Sequence, residues 1–242
     1  MPLILRVDVD NGYLYGKSKL STLLNFINEN YFSISLPSLG YLSHLAEFID
    51  HLMNLDLSLS MFFKYNTLPH KELKNRILSN KRIDIGLHLF SARTYKEFVN
   101  EVKTIEKHFN IKIHGFTKHG DGDVKLSRRH AWLYEVEKYL KWGVEYGMNY
   151  FSGNVHGAPT EVIKINKFIY FPKVFYIEPY ARKLRLTVND VADYANSDYV
   201  VVALIHPCNF VKYHNVKKEF HTLIDKVNEI YSFKEYVGKI KV

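Results

Sequence analysis

The sequence predicts a (β/α) barrel, seven-stranded and distorted, on two observations. The first is alternation. Strand-like segments and amphipathic segments of helical period follow one another along the chain, the order that builds βα units and a parallel sheet. The second is where polar residues fall. LILRV (3–7) runs into Asp8 and Asp10, IDIGL (83–87) into His88, and IHGFT (113–117) into Lys118 and His119. MNYFSG (148–153) runs into Asn154 and His156, and VVALI (201–205) into His206. As parallel strands, these runs would place all five ends at one rim, where α/β barrels and open α/β sheets hold their active sites. An open doubly wound sheet fits the same alternation. With neither GxGxxG nor a P-loop, a nucleotide-binding version of it lacks a phosphate cradle.

The strands are expected at 3–9, 57–63, 83–89, 112–117, 148–153, 168–177 and 199–205. Between them, SLGYLSHLAEFIDHLMNL (38–55) repeats apolar residues near helical period, with Ser38 after Pro37 as N-cap. HKELKNRILS (70–79) is a short amphipathic helix. TYKEFVNEVKTIEKHF (94–109) carries Thr94 and Glu97 at capping-box spacing. LYEVEKYLKWGVEYG (133–147) ends in Gly147, a stop signal. VNDVADYA (188–195) and VKKEFHTLIDKVNEIYSF (216–233) complete the helices.

The 242 residues suit one barrel-sized domain spanning 1–242. The single cysteine, Cys208, excludes an internal disulfide and agrees with a reducing, cytoplasmic setting. No stretch approaches the ~18–20 apolar residues of a membrane span, so no membrane is expected as partner. The formal net charge of +8 admits a phosphorylated substrate or carrier. Its basic residues are dispersed over helix faces and loops, which argues against nucleic acid. The 18 tyrosines would suit sugar stacking, although aromatic-rich cores are the commoner use.

Asp8 and Asp10 flank Val9, so in a strand both carboxylates share a face and repel unless a cation or a shared proton relieves them. Asn11-Gly12 reads as the turn that follows. His88 alone would be an ordinary core histidine; beside Asp8 and Asp10 it becomes a ligand candidate, and a carboxylate-plus-imidazole set suits zinc. His206, before Pro207, is placed to donate a proton at neutral pH or simply to end a strand. Lys118-His119-Gly120-Asp121-Gly122-Asp123 is a polar glycine-rich loop that could orient carboxylates, add a ligand or be a plain turn. Asn154, His156 and His130 are candidates for substrate binding.

The order of these elements resembles the polysaccharide deacetylase superfamily of metal-dependent carbohydrate esterases. LRVDVDNG (5–12) is similar to its Asp-x-Asp motif, LSMFFKYNTLP (59–69) to its second strand, and KRIDIGLHLFS (81–91) to its third-strand metal motif. GFTKHGDG (115–122) stands where its Arg/Pro-rich motif falls, and ALIHP (203–207) matches its late apolar-plus-His motif. The resemblance implies Asp8 as catalytic base, Asp10 and His88 as ligands of one divalent ion, expected to be zinc from the donor set, and His206 as general acid. Lys118 would sit near the arginine that pairs with the base in relatives. The family's second ligand histidine, four residues after the first, is replaced by Ala92, which makes His119 the preferred third ligand and His130 the next. The arginine has no clear counterpart in the 115–122 motif.

These readings predict a metal-dependent deacetylase that hydrolyses a C–N amide bond on an N-acetylated sugar or sugar precursor. A catalytically degenerate descendant that binds glycans without turnover is the alternative. A metal-independent glycosidase using Asp8 with Asp10, about 6–7 Å apart at Cα, has no further support. Association between copies is left open.

Overall fold

The computed structural model describes residues 2–10, 27 and 40–240. In chain order its elements are β1 (Leu3–Val9), α1 (Gly40–Met53), β2 (Leu59–Phe63), α2 (Lys71–Ser79), β3 (Ile83–Leu89), α3 (Tyr95–Phe109) and β4 (Gly115–Lys118). There follow α4 (Val136–Tyr146), β5 (Tyr150–His156), β6 (Ile163–Ile165), β7 (Phe168–Tyr176), α5 (Val188–Asn196) and β8 (Val201–Ile205). The chain continues through α6 (Pro207–Lys212), α7 (His214–Lys226), β9 (Ile230–Tyr231) and α8 (Phe233–Ile240).

Strands β1, β2, β3, β4, β5, β7 and β8 pair in parallel in that circular order, and β1 touches both β2 and β8. The sheet therefore closes into a seven-stranded barrel, which removes the open doubly wound alternative. The distortions are local. β6 runs antiparallel beside β7, β9 pairs with Leu3 and Ile4 at the start of β1, and the β5–β7 register shifts between Ser152 and Val155.

Strand alternation sorts the buried residues into two layers. Leu3, Leu5, Val7, Met61, Leu87 and Phe116 face the helices, where they meet residues such as Phe48, Ile105, Val191 and Leu223. Ile4, Phe62, Tyr150, Phe171, Val202 and Leu204 fill the barrel. The base of the barrel is closed by the C-terminal segment. Phe233 stacks on Tyr150 at 4.8 Å and meets Phe171 edge-on, and its backbone N–H donates to Ser60 Oγ at 2.9 Å.

The local signals map onto structure with shifted ends. Thr94 and Glu97 form the expected capping box, Gly147 adopts the left-handed conformation that stops α4, and Thr187 with Asp190 caps α5. The helix expected over 216–233 is instead broken: α7 ends at Lys226, and Ile230 and Tyr231 leave it to join β1. Pairing with a strand edge and insertion of Phe233 outweigh the apolar stripe there. Ser38 and Asn11-Gly12 lie outside the described residues. Among those described, no helix is long and apolar enough to cross a membrane.

The barrel interior leaves no room at Gly115. A Cβ there would come within 2.2 Å of the Tyr150 ring, which Phe233 and the hydroxyl's 2.8 Å bond to Asp84 hold in place. Gly115→Ala should destabilise the protein by about 1–3 kcal/mol, the usual cost of overpacking, read as a lower urea midpoint. An unchanged midpoint would mean that the interior is looser than described.

Candidate active site

The C-terminal ends of the strands carry the site, and β1 begins it. Ile4, Arg6 and Asp8 alternate onto the interior, with Asp10 just past the strand. Arg6 is fully buried. Its Nε and Nη2 donate to the two oxygens of Asp8 at 2.9 and 2.7 Å. Nη2 also donates to Asn154 Oδ1 at 2.9 Å, and Nη1 to Gly153 O at 2.8 Å and Ser152 Oγ at 3.2 Å. A guanidinium has five N–H donors, and each of them has an acceptor. Burial opposes the charge on Arg6, and the attraction of Asp8 more than offsets it, raising its pKa.

Asn154 reaches the interior from the β5 bulge, a device that re-aims side chains. While its Oδ1 accepts from Arg6, its Nδ2 donates to Lys118 O at 2.6 Å and Gly120 O at 2.9 Å. Asp8 and the loop after β4 are therefore tied through Arg6 and one amide.

Asp10, His88 and His119 converge. Asp10 Oδ2 lies 2.7 Å from His119 Nδ1 and 3.2 Å from His88 Nε2, and the two ring nitrogens are 3.0 Å apart. His88 Nδ1 lies 2.6 Å from Thr117 Oγ1. With its proton assigned there, Nε2 keeps a lone pair toward Asp10. Burial depresses the pKa of both imidazoles, that of His119 strongly and with help from nearby Lys64, so both are neutral. Burial works against the charge of Asp10, yet His206 and a hydrogen bond from His119 hold its pKa well below the usual carboxylate range.

His206 closes the rim from β8. Its Nδ1 and backbone N–H both contact Glu178 Oε1 at 2.8 Å, leaving Nε2 3.5 Å from Asp10 Oδ1. Burial disfavours the imidazolium, but Glu178 and Asp10 together prevail and raise its pKa to about 9. His206 is thus a protonated imidazole at neutral pH with a fixed Nδ1–H and an Nε2–H aimed at the centre.

The remaining candidates are placed elsewhere. Lys118 shares the outer strand face with Phe116 and is not beside Asp8; the arginine paired with that carboxylate is Arg6, from two residues earlier on the same strand. Lys118 Nζ donates to His119 O at 2.6 Å, and burial lowers its pKa to about 7. His130 is fully buried behind His119 rather than open to substrate. Its Nδ1 accepts from Leu126 N at 3.1 Å, so its Nε2–H donates to His119 O at 2.8 Å. The amide of Asn154 is committed to the network just described. His156 stacks on Tyr176 at 4.5 Å and lies 3.8 Å from Asp121, in a shallow cleft with Lys183 and Leu184. Ala92 is buried in the outer core. Sequence reasoning missed Arg6, Thr117 and Glu178. The alternation that paired Asp8 with Asp10 also places Arg6 on their face, and Glu178 directly follows the expected strand 168–177.

The three converging donors fit a small divalent ion. Their pairwise separations approach the roughly 3.3 Å expected of tetrahedral ligands about 2.0 Å from a common zinc. Asp10 Oδ1 is a buried oxygen with no hydrogen-bond donor among the described residues, and the oxygen-plus-imidazole set suits zinc or a similar ion. The contact of His88 with Thr117 supplies the outer support such ligands usually have.

The His206–Glu178 pair generates a pH prediction. Because the folded pKa lies above the ordinary 6.5, its stabilisation is complete below about pH 6.5 and is lost as pH rises through about 9. In an NMR titration of the metal-free protein, Glu178→Gln should move the His206 midpoint from about 9 toward 6.5. An unmoved midpoint would assign the charge to Asp10 instead.

No family model and no curated protein matches the sequence. Solved structures do. A provisionally assigned polysaccharide deacetylase from Mycobacterium smegmatis superposes with a TM-score of 0.59 at 12% identity, over 99% of this chain and 90% of that one. An allantoinase gives 0.59 at 8% identity, over 98% and 88%. A pseudoenzyme of the CE4 family from Bacillus anthracis gives 0.50 at 11% identity, over 98% of this chain and 65% of that one. At these identities the likeness concerns architecture. The closed parallel barrel with its site at the strand ends is a divergent form of the polysaccharide deacetylase fold.

Proposed function

We propose that the protein is a metal-dependent hydrolase, acting as one catalytic domain over 1–242, that removes acetyl from an N-acetylated sugar or sugar precursor. The observation that carries this reading is the meeting, at one rim, of the Asp10–His88–His119 cluster with a carboxylate and a protonated imidazole on either side of it. When bound, a divalent ion, zinc by the chemistry of its donors, supplies Lewis acidity at the amide carbonyl.

The chain's own residues do the rest. Asp8, oriented by Arg6, keeps a free lone pair on each oxygen and takes a proton from the attacking water. His206 Nε2–H protonates the departing nitrogen as the C–N bond breaks, and Glu178 keeps the ring protonated and oriented through its Nδ1–H. Acetate and a free amine leave. The barrel's likeness supports a carbohydrate substrate, the +8 charge a phosphorylated carrier, and the single Cys208 a cytoplasmic setting. Nucleic acid and membrane are not assigned as partners.

The degenerate, glycan-binding reading has one observation in its favour, the loss of the family's second histidine at Ala92. His119 occupying the vacant role answers it.

Acetate release from N-acetylglucosamine oligomers, measured beside metal content, tests the proposal. The wild type should hold about one equivalent of divalent metal and release acetate. Asp10→Ala and His88→Ala should lose the metal. Asp8→Asn should retain it but turn over about 10²–10⁴-fold more slowly, the usual worth of a general base. Metal-free protein, even after incubation with zinc, would sink the hydrolase; a loaded but inert protein would leave the binder.

A further inference from the structure

Two of the three candidate ligands, Asp10 and His119, lie outside the strands that carry them. His88 lies within β3, whereas Asp10 and His119 are each the first residue past their strands, β1 and the four-residue β4. A loop ligand needs its own restraint, since ligand sites must be held to within about 0.5 Å.

That restraint is present on the backbone. The His119 N–H donates to Leu89 O at 2.9 Å. Its carbonyl accepts two hydrogen bonds, from Lys118 Nζ at 2.6 Å and from His130 Nε2 at 2.8 Å. The 3.2 Å between Lys118 Nζ and His130 Nε2 is then an approach of two donors sharing one acceptor. The flanking carbonyls of Lys118 and Gly120 are both taken by Asn154 Nδ2. Three successive carbonyls are thus fixed by side chains. His130 is itself held by the Leu126 N–H and by stacking on Phe90, at 5.9 Å and 8° between planes. Lys118 and His130 are fully buried, so neither donor is there to meet solvent or substrate.

We propose that Lys118 and His130 are positioning residues for His119. They grip its carbonyl so that the imidazole points at Asp10 and His88, and so let His119 stand in for the family's second histidine, whose position is Ala92 here. The inference rests on the metal-hydrolase reading and goes beyond it by assigning the two residues that make the substituted ligand work.

The test is zinc affinity, measured by competition with a chromophoric chelator, for the wild type, Lys118→Met, His130→Phe and the control Lys183→Met. Lys183 is an exposed rim lysine bonded to Asp121 and Asp123. Lys118→Met and His130→Phe should each bind zinc about 10–100-fold more weakly, the usual effect of removing outer support from a ligand. Lys183→Met should match the wild type. The visible spectrum of the cobalt-loaded protein should change in the first two and not in the third, a response that a general loss of stability would not produce. Two mutants let one be read if the other fails to fold. Unaltered affinity and spectrum in either folded variant would overturn its assigned role. A wild type that binds no zinc would remove the hydrolase reading itself, and this inference with it.

Discussion

A guanidinium buried in the mouth of the barrel is the constraint on which the site depends. An arginine out of water must find an acceptor for each N–H, because unmet donors in a low-dielectric interior cost heavily. Arg6 finds all five in Asp8, Asn154, Gly153 and Ser152. Meeting that demand fixes the orientation of Asp8, places the β5 bulge, and leaves the other end of Asn154 to hold the loop after β4. Asp8 on one side of the centre and His119 on the other are connected through this one cation and this one amide.

The same arrangement resolves the repulsion between two carboxylates two residues apart. Each is given different partners. Asp8 takes the guanidinium, while Asp10 takes two neutral imidazoles and the cationic His206. Environment thus separates otherwise similar groups into different roles. On the far side, His206 is treated as Arg6 is: a buried cation offset by a buried carboxylate, Glu178. The barrel itself contributes rigidity, since Phe233 fills its base and Phe62 and Tyr150 its middle.

Much of this was legible in the sequence. Alternation identified the seven barrel strands, and their polar ends identified Asp8, Asp10, His88, His119 and His206 as neighbours at one rim. What escaped has physical reasons. Arg6 sits inside an apolar run, where a cation is read as a strand residue facing outward; only closure of the barrel makes that position interior. Lys118 ends β4 and took its expected role from the place of the family's arginine, but one residue of alternation puts it on the opposite face from Thr117. Glu178 lies beyond its strand, and its bond to His206 spans 28 residues, a separation that no local pattern encodes. β6 and β9 are too short to carry a periodic signal, and β9 is specified by pairing with β1. His130 and Asn154 stood out by residue type, but their work is to hold other groups.

Asp10, His88 and His119 together could hold a small ion between one carboxylate and two imidazoles. X-ray absorption of the zinc-loaded protein tests it most directly. The spectrum should hold only oxygen and nitrogen neighbours at about 2.0–2.2 Å, with the multiple scattering of two imidazoles, falling to one in His119→Ala. A sulfur neighbour near 2.3 Å would contradict this ligand set, pointing to Cys208, whose Sγ lies 3.6 Å from Asp10 O. So would a spectrum carrying a single imidazole in the wild type.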